Sequence, residues 1–210
     1  IWPNRYKGQV GVVTGGAKGL GQAIAWRLAA EGAHVVIADM DEKAIGETTA
    51  LFAPQNLSVS GLQLDITKEY DVAAAFTGIA AKHGGLHFCV NSAAIIGPNG
   101  KPATEISADD FDKVMKVNVT GGYNVAKEAI RVMAPAQYGR ILLLASIAGR
   151  AGNPKMAPYA CSKGATIAMA KSLGAECATS GITVNSLAPT TVMTPMVESM
   201  VPKVVQWMKD

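Results

Sequence analysis

Short apolar runs and longer amphipathic stretches alternate along this chain. The apolar runs have the length of buried strands and lie at 9–14, 34–39, 57–64, 86–91, 140–146 and 182–188. The stretches suited to helices lie at 19–31, 41–52, 68–83, 107–134 and 158–179. This alternation predicts an α/β fold, with a doubly wound parallel sheet, helices on both of its faces and right-handed crossovers. Because no repeat, linker or low-complexity tract interrupts the pattern, we expect a single domain over residues 1–210.

A glycine-rich segment follows the first predicted strand. Residues 14–21 read Thr-Gly-Gly-Ala-Lys-Gly-Leu-Gly and lead directly into a predicted helix. Glycines permit a tight turn and a close approach of the backbone to a pyrophosphate, whose charge the helix N-terminus attracts. The second strand ends in Asp39, about twenty residues after the glycines, where a carboxylate binds the ribose hydroxyls of NAD and repels a 2′-phosphate. The segment therefore predicts a dinucleotide site that prefers NAD over NADP.

A serine, a tyrosine and a lysine form a second pattern. Tyr159 and Lys163 are four residues apart on a predicted helix and therefore share one face. Ser146 ends a predicted strand, at the sheet edge where open α/β folds keep their chemistry. A nearby ammonium favours the phenolate and lowers the pKa of a tyrosine, and a hydroxyl can hold a substrate oxygen against the phenol. The three groups predict an acid/base that moves a proton to or from an alcohol.

With its glycine segment and its Ser–Tyr–Lys set, the chain resembles the single-domain short-chain dehydrogenase/reductases, which have a Rossmann fold. The resemblance covers the chain from Lys7 to about Thr194 and implies hydride transfer between nicotinamide and a secondary alcohol or ketone. It implies a catalytic set of Asn118, Ser146, Tyr159 and Lys163. The cofactor contacts that it implies are Gly15, Lys18, Gly19, Leu20, Gly21, Asp39, Met40, Asp65, Ile66, Asn91, Ala93, Tyr159, Lys163, Pro189, Val192 and Thr194.

The resemblance also assigns roles to some of these positions. It places Asp65 near the adenine amino group, gives Lys163 the nicotinamide ribose, and gives Asn118 a proton-relay water near that lysine. Lys18 lies where some NADP-using relatives place a basic side chain against the 2′-phosphate. We expect Asp39 to outweigh it, because the carboxylate would touch the ribose directly whereas the long Lys18 side chain can stay in solvent.

Two segments depart from the family pattern. Residues 91–94 read Asn-Ser-Ala-Ala in place of Asn-Asn-Ala-Gly, and we expect adjusted contacts with the sheet. Pro189 is followed by Thr190 in place of glycine. Because a β-branched residue does not readily adopt positive φ, we expect the loop over the nicotinamide to run differently.

Composition narrows the functional class. With 49% hydrophobic residues the chain can bury a sizeable core, and its net charge of +3 is spread along the sequence, so we expect no nucleic-acid partner. The three cysteines lack metal or disulfide spacing, and Cys161 is expected to be a small packing residue. His83 and His87 flank a glycine pair, so no metal is expected. Without a run of eighteen apolar residues or an apolar signal core, we expect a cytoplasmic protein with no membrane partner.

The last part of the chain bears on the substrate. Members of the family continue with one more helix and a final strand, and we expect both to be missing from this chain after Asp210. Polar residues within 149–155 favour a polyol or sugar acid as substrate. We expect a lid over an apolar part of the substrate from a stripe near helical spacing: Met193, Met196, Val197, Met200, Val201, Val204, Val205 and Met208.

Two other functions remain open. A 3-oxoacyl-thioester (acyl-carrier-protein) reductase is the alternative within enzymes. A non-catalytic dinucleotide-sensing regulator is a more distant alternative, because such proteins typically lose the tyrosine or the lysine. The resemblance further implies a small-molecule substrate and a homo-oligomer, either a dimer or a tetramer.

Overall fold

Six parallel strands form a single sheet in the computed structural model, which describes residues 1–198 and 200. The strands are β1 (Val10–Thr14), β2 (His34–Asp39), β3 (Val59–Gln63), β4 (Phe88–Asn91), β5 (Gly139–Leu144) and β6 (Ile182–Leu187). Their order across the sheet is β3-β2-β1-β4-β5-β6. The chain therefore leaves one half of the sheet after β3 and starts the other half at β4, beside β1. Ligands of such folds bind at this switch point, outside the carboxyl ends of the strands.

The helices connect these strands. They are α1 (Gly19–Ala30), α2 (Glu42–Phe52), α3 (Glu69–His83), α4 (Ala108–Met115), α5 (Gly122–Met133), α6 (Ala148–Ala151), α7 (Ala157–Glu176) and α8 (Pro195–Glu198). Short 3₁₀ turns lie at Ala53–Gln55, Ala103–Glu105 and Ala134–Ala136. A π-helical turn, Lys116–Gly121, joins α4 to α5. The doubly wound parallel fold predicted from the alternation is confirmed.

Successive strand residues pack on opposite faces of the sheet, as the strand period requires. Val12 and Val36 join a core with Phe76 of α3 and Val125 of α5. Their neighbours in the strands join a second core with α1 and α2 on the other face. Buried on both faces, the central strands read as nearly continuous apolar runs.

The predicted boundaries differ from the observed ones in two places that matter for the site. β5 ends at Leu144, so Ser146 follows the strand by two residues instead of ending it. The helix predicted over 107–134 contains the π-helical turn, which sequence periodicity did not reveal. Gly121 lets this turn approach the loop after β3, since a Cβ there would lie 2.7 Å from a side-chain carbon of Ile66.

The expected lid is described only in its first part. Met193 precedes α8, and Val197 and Met200 pack against Met156. Tyr159 and Ile96 contact the same apolar cluster. Met196 lies in α8, and the last four members of the predicted stripe, Val201, Val204, Val205 and Met208, lie outside the described residues.

Candidate active site

A cavity of about 360 Å³ opens at the carboxyl edge of the sheet, over the switch point between β1 and β4. Its walls come from the glycine segment, the loops after β2 to β5, α7 and the start of α8. Most of the predicted site residues line it: Gly15, Lys18, Gly19, Leu20, Asp39, Met40, Asp65, Ile66, Ala93, Tyr159, Lys163 and Thr194. The fold thus brings the glycine segment and the Tyr–Lys pair, about 140 residues apart in the chain, to one cavity.

The other predicted residues lie beside or behind this cavity. Val192 lines a smaller neighbouring cavity of about 280 Å³, which shares Lys18 and Thr194 with the first. Asn91 is buried behind the glycine segment, where its Oδ1 accepts a hydrogen bond of 2.6 Å from the Thr14 hydroxyl. The carbonyl of Pro189 accepts from the N–H of Ile147, 2.9 Å away, and this bond ties the loop after β6 to the segment after β5.

The glycine segment has the geometry that a phosphate site requires. Gly15 and Gly19 have φ of 61° and 56°, a region that glycine adopts without strain. A Cβ on Gly15 would lie 2.7 Å from the backbone of Ala93, and one on Gly21 would lie 2.1 Å from the carbonyl oxygen of Gly15. The N-cap residue of α1, Lys18, does not cap the helix with its side chain. The turn therefore packs tightly against the loop after β4 and leaves the first amides of α1 without a side-chain acceptor, which fits a pyrophosphate.

Asp39 is fixed at the rim of the cavity by backbone donors. Its Oδ2 accepts from the N–H of Ala17 and its Oδ1 from the N–H of Asp41, each over 3.2 Å. The Lys18 side chain, which by its length can stay in solvent, is 58% exposed, and its Nζ forms an ion pair of 2.6 Å with Oδ2 of Asp41. The carboxylate of Asp39 consequently keeps a defined orientation, and no cation within residues 1–198 and 200 forms an ion pair with it.

Ser146, Tyr159 and Lys163 converge because α7 packs closely against the segment after β5. A Cβ on Gly149 would lie 2.4 Å from the carbonyl carbon of Lys163, so only glycine permits this approach. The hydroxyl of Ser146 accepts from the N–H of Ala148, 3.2 Å away. The Nζ of Lys163 lies 5.6 Å from the centre of the Tyr159 ring. The three side chains predicted from spacing are thus neighbours in the fold.

The protonation states differ from the sequence-based expectation. Lys163 is 5% exposed, and its Nζ donates to the carbonyl of Leu144 over 2.6 Å. Burial lowers the pKa of Lys163 to about 8. Burial also raises the pKa of Tyr159, and a hydrogen bond with Ser146 opposes this rise. The direction of the Tyr159 pKa shift thus differs from the one expected from a nearby ammonium, because desolvation of the partly buried phenol is the largest effect.

Asn118 lies in the π-helical turn and is almost fully buried. Its Oδ1 accepts from the N–H of Ile95, and its Nδ2 donates to the carbonyl of Ile95, both over 2.8 Å. The same Nδ2 donates to the hydroxyl of Ser162 over 3.0 Å. Both amide hydrogens are thus used by protein groups. The side chain links the loop after β4 to α7, while the water-relay role that the resemblance implies stays a prediction.

Sequence reasoning missed two residues of this region. Ser162 is completely buried, accepts from Asn118 and donates to the carbonyl of Tyr159 over 2.8 Å. A serine inside a helical motif carries no periodicity signal that marks such contacts. Asp41 pairs with Lys18; the sequence pattern placed it only as the first residue of the helix predicted over 41–52, whereas in the structure it is the N-cap of α2.

Several smaller expectations can be compared with the structure. Thr190 avoids positive φ, which among described residues other than glycine occurs at Asn4, Asn56, Gln137 and Lys155. Cys161 is exposed, which contradicts the expectation that it is a small packing residue. No group of three or more potential metal ligands occurs in residues 1–198 and 200. In the same residues, no helix combines the length and the apolarity that crossing a membrane would need.

Comparison with known proteins decides the family. The family model described as short chain dehydrogenase matches residues 9–204. This chain is a short-chain dehydrogenase/reductase. As such it is an oxidoreductase that acts on CH–OH groups of alcohols or the corresponding ketones and uses a nicotinamide cofactor.

The relatives of this dehydrogenase differ in substrate and cofactor. It is 35% identical over 210 residues to a 2-dehydro-3-deoxy-L-rhamnonate dehydrogenase (NAD(+)) of Sphingomonas sp. (strain SKA58), covering 100% of this chain and 82% of the relative. An NAD⁺-bound xylitol dehydrogenase superposes with a TM-score of 0.85 at 34% identity, covering 88% of this chain and 71% of the other. A variant of actinorhodin polyketide ketoreductase solved with NADPH superposes with a TM-score of 0.86 at 30% identity, covering 90% and 73%.

Proposed function

We propose that this dehydrogenase interconverts a secondary alcohol and a ketone of a polyol or sugar acid and prefers NAD(H) over NADP(H). The observation that carries the cofactor preference is the carboxylate of Asp39, which lines the cavity at the end of β2 and is oriented by two backbone N–H groups. A 2′-phosphate beside it would meet a like charge. The carboxylate would instead accept hydrogen bonds from ribose hydroxyls.

The cofactor site in this proposal follows the line of the cavity. The amides at the start of α1 and the glycines before them would hold the pyrophosphate. Asp65 and Ile66 would border the adenine, and Pro189, Val192 and Thr194 the nicotinamide carboxamide. A bound nicotinamide supplies or accepts the hydride, while the protein supplies position and a proton.

The proton transfer in this proposal is carried out by Ser146, Tyr159 and Lys163. The raised pKa of Tyr159 keeps its phenol protonated, so in ketone reduction the phenol donates its proton to the substrate oxygen. In alcohol oxidation the phenol first gives up its proton to solvent, and the resulting phenolate oxygen takes the proton of the substrate hydroxyl. Ser146 orients the substrate oxygen against the phenol. Lys163, whose pKa is about 8, can exchange a proton with its surroundings near neutral pH and would bind the nicotinamide ribose.

The substrate class is supported by two kinds of observation. The relatives named above include a sugar-acid dehydrogenase and a xylitol dehydrogenase. In the segment after β5, Asn153 is half-buried and Arg150 exposed, close in sequence to the proposed catalytic serine. Such groups suit a substrate with several hydroxyls or a carboxylate.

One observation favours the alternative, reduction of a 3-oxoacyl thioester. The apolar cluster of Met156, Val197 and Met200 packs beside Tyr159. An acyl chain would find apolar contacts there that a polyol could not use. This second function differs from the first in substrate and not in the proposed proton-transfer residues.

A substrate screen with both cofactors tests the proposal. Polyols, aldonic and deoxy sugar acids and short 3-oxoacyl thioesters are each assayed with NAD(H) and NADP(H), and kcat/KM is compared. We expect the largest kcat/KM with a polyol or sugar acid and NAD⁺. Preference for an acyl thioester would favour the alternative, and turnover with none of these substrates would contradict both.

The cofactor preference has its own test. Asp39→Ala removes the carboxylate, and we expect it to erase most of a preference of roughly thirtyfold to a thousandfold in kcat/KM, the size that lost hydrogen bonds and charge repulsion predict. Equal efficiency of the unmutated protein with NAD⁺ and NADP⁺ would contradict the proposed role of Asp39.

A further inference from the structure

Lys18 and Asp41 form an ion pair at the rim of the cavity, next to Asp39. The Nζ of Lys18 lies 2.6 Å from Oδ2 of Asp41, with side chains 58% and 45% exposed. Lys18 and Asp39 both line the cavity. An ammonium that lines the cavity together with Asp39 is therefore bound to a carboxylate that follows β2 by two residues.

The position of Asp41 is itself fixed by the backbone. Its Oδ1 accepts from the N–H of Ala44 over 3.0 Å, so that Asp41 is the N-cap of α2. Its own N–H donates to Oδ1 of Asp39. Because one oxygen caps the helix and the other binds the ammonium, moving Asp41 toward solvent would cost both contacts. The N-terminus of α2 thus fixes the carboxylate of Asp41, and this carboxylate in turn binds Lys18.

The ion pair between Lys18 and Asp41 disfavours the binding of a 2′-phosphate at this rim. A 2′-phosphate on the adenosine ribose needs a cationic partner, and a lysine side chain can provide one as a point charge. Lys18 could bring its full positive charge to the phosphate only by leaving Asp41. The phosphate would then face two uncompensated carboxylates, those of Asp39 and Asp41.

We propose that Asp41 is a positioning residue for cofactor choice: it holds Lys18 on α2 and so keeps this lysine from serving a 2′-phosphate. The proposal rests on the function proposed above, namely the binding of NAD(H) in this cavity. In this proposal two interactions contribute to the preference for NAD(H): Asp39 repels the 2′-phosphate of NADP(H), and Asp41 keeps Lys18 from neutralising that phosphate.

The test removes the negative charge of Asp41 and keeps a side chain that can cap α2. Asp41→Asn leaves a side chain that caps helices as well as aspartate does. Dissociation constants for NADH and NADPH are measured by fluorescence titration, which needs no substrate. We expect the Kd for NADPH to fall about fivefold relative to that for NADH, the scale of an exposed ion pair. Adding Lys18→Met to this variant should cancel the gain, because the released lysine causes it.

A neighbouring residue supplies the matched control. Glu42→Gln removes the same charge from the next position of α2, and Glu42 forms no ion pair with Lys18 within the described part of the chain. It should leave the NADPH/NADH ratio unchanged. An equal gain in relative NADPH affinity in Glu42→Gln would overturn the proposal, because the effect would then come from the loss of any nearby negative charge. No gain in Asp41→Asn would overturn it as well, because Asp41 would then not restrain Lys18.

A further variant covers the case in which Asp41→Asn does not fold. Lys18→Met alone should weaken NADPH no more than NADH, because the lysine serves Asp41 and not the phosphate. A selective loss of NADPH affinity would overturn the proposal. If the unmutated protein binds neither nucleotide, the proposed function fails together with this inference, whereas NADH binding with a failed Asp41 test leaves the proposed function standing.

Discussion

Burial acts on Tyr159 and Lys163 in opposite pKa directions and favours the neutral form of each. It raises the pKa of the phenol and lowers that of the ammonium to about 8. A neutral phenol has a proton to donate, and an amine with such a pKa exchanges protons readily near neutral pH. These two side chains therefore supply the groups that proton transfer to and from a substrate oxygen requires.

The first prediction concerns the phenol. Tyr159→Phe keeps the ring and removes the proposed acid/base, so we expect turnover to fall by roughly a hundredfold to ten-thousandfold. NADH affinity, measured by fluorescence, should largely persist. Tyr123→Phe makes the same chemical change on an exposed residue of α5 and should keep normal turnover. Near-normal turnover in Tyr159→Phe would refute the assignment.

The second prediction concerns pH and stability. The pKa of Lys163 falls from 10.5 in the unfolded chain to about 8 in the fold, so the folded state binds fewer protons between these values. Stability contributed through this group is therefore lowest below about pH 8 and rises with pH up to 10.5. Relative to Lys163→Met, the free energy of unfolding of the unmutated protein should rise across this window by up to about 3 kcal/mol.

Urea denaturation of both proteins at about pH 7 and about pH 10 measures this difference. Other titrating groups are common to both proteins and cancel in the comparison. A constant difference between the two curves would show that Lys163 is not desolvated in the fold.

At the scale of elements, hydrogen bonds of Asn118 and Ser162 connect three parts of the chain. The π-helical turn supplies Asn118, the loop after β4 supplies Ile95, and α7 supplies Ser162. π-helical turns are rare and occur frequently at functional sites, where they re-aim a side chain. Here the turn orients Asn118 so that the loop and α7 are joined beside the proposed catalytic tyrosine.

The third prediction breaks this connection. Ser162→Ala leaves an amide hydrogen of buried Asn118 without its acceptor, which costs about 1–3 kcal/mol of stability. If the network also positions Tyr159, kcat should fall while KM for the cofactor changes little. Ser180→Ala removes a similar bond to a carbonyl three residues earlier but no link between elements. Equal effects of the two variants on unfolding and kcat would contradict a positioning role.

The fourth prediction concerns the contact between α6 and α7. In Gly149→Ala the new methyl group would lie 2.4 Å from the carbonyl carbon of Lys163, so the two helices must separate. We expect lower thermal stability and a loss of turnover, because Ser146 would move away from Tyr159. Gly46→Ala in α2 meets no atom within 4 Å and should be neutral or stabilising by about 0.5–1 kcal/mol. Normal turnover in Gly149→Ala would show that the close contact is dispensable.

On the scale of the whole molecule, the strand order decides where the site lies. Because β1 is flanked by β2 on one side and β4 on the other, the loops after these strands diverge and leave a crevice. Asp39 enters it from β2, the glycine segment from β1 and Ala93 from β4. No single element contains the site, so its geometry depends on the register of the sheet.

The fifth prediction concerns assembly. The family resemblance implies a homo-oligomer, and the chain mass is 21.7 kDa. Sedimentation equilibrium should therefore give a mass two or four times that of the chain. A protein that sediments as a monomer while turning over substrate would contradict the expectation and show that one copy suffices.

The sequence by itself determined the order of strands and helices, the glycine segment and the set of Ser146, Tyr159 and Lys163. These follow from local spacing, because periodicity and turn residues act within a few positions of one another. It also indicated Asp39, whose position at a strand end can be counted along the chain. In the fold the glycine segment, Asp39, Tyr159 and Lys163 line one cavity.

Only the tertiary structure decided the partners of the polar groups. Lys163 donates to a carbonyl 19 residues away, Lys18 pairs with a carboxylate 23 residues away, and Asn118 donates to Ser162 over 44 residues. The pKa of Tyr159 is raised and not lowered, because the phenol is desolvated by the residues that pack around it. Desolvation and long-range hydrogen bonds depend on what packs around a side chain in three dimensions, and spacing along the chain carries no record of that.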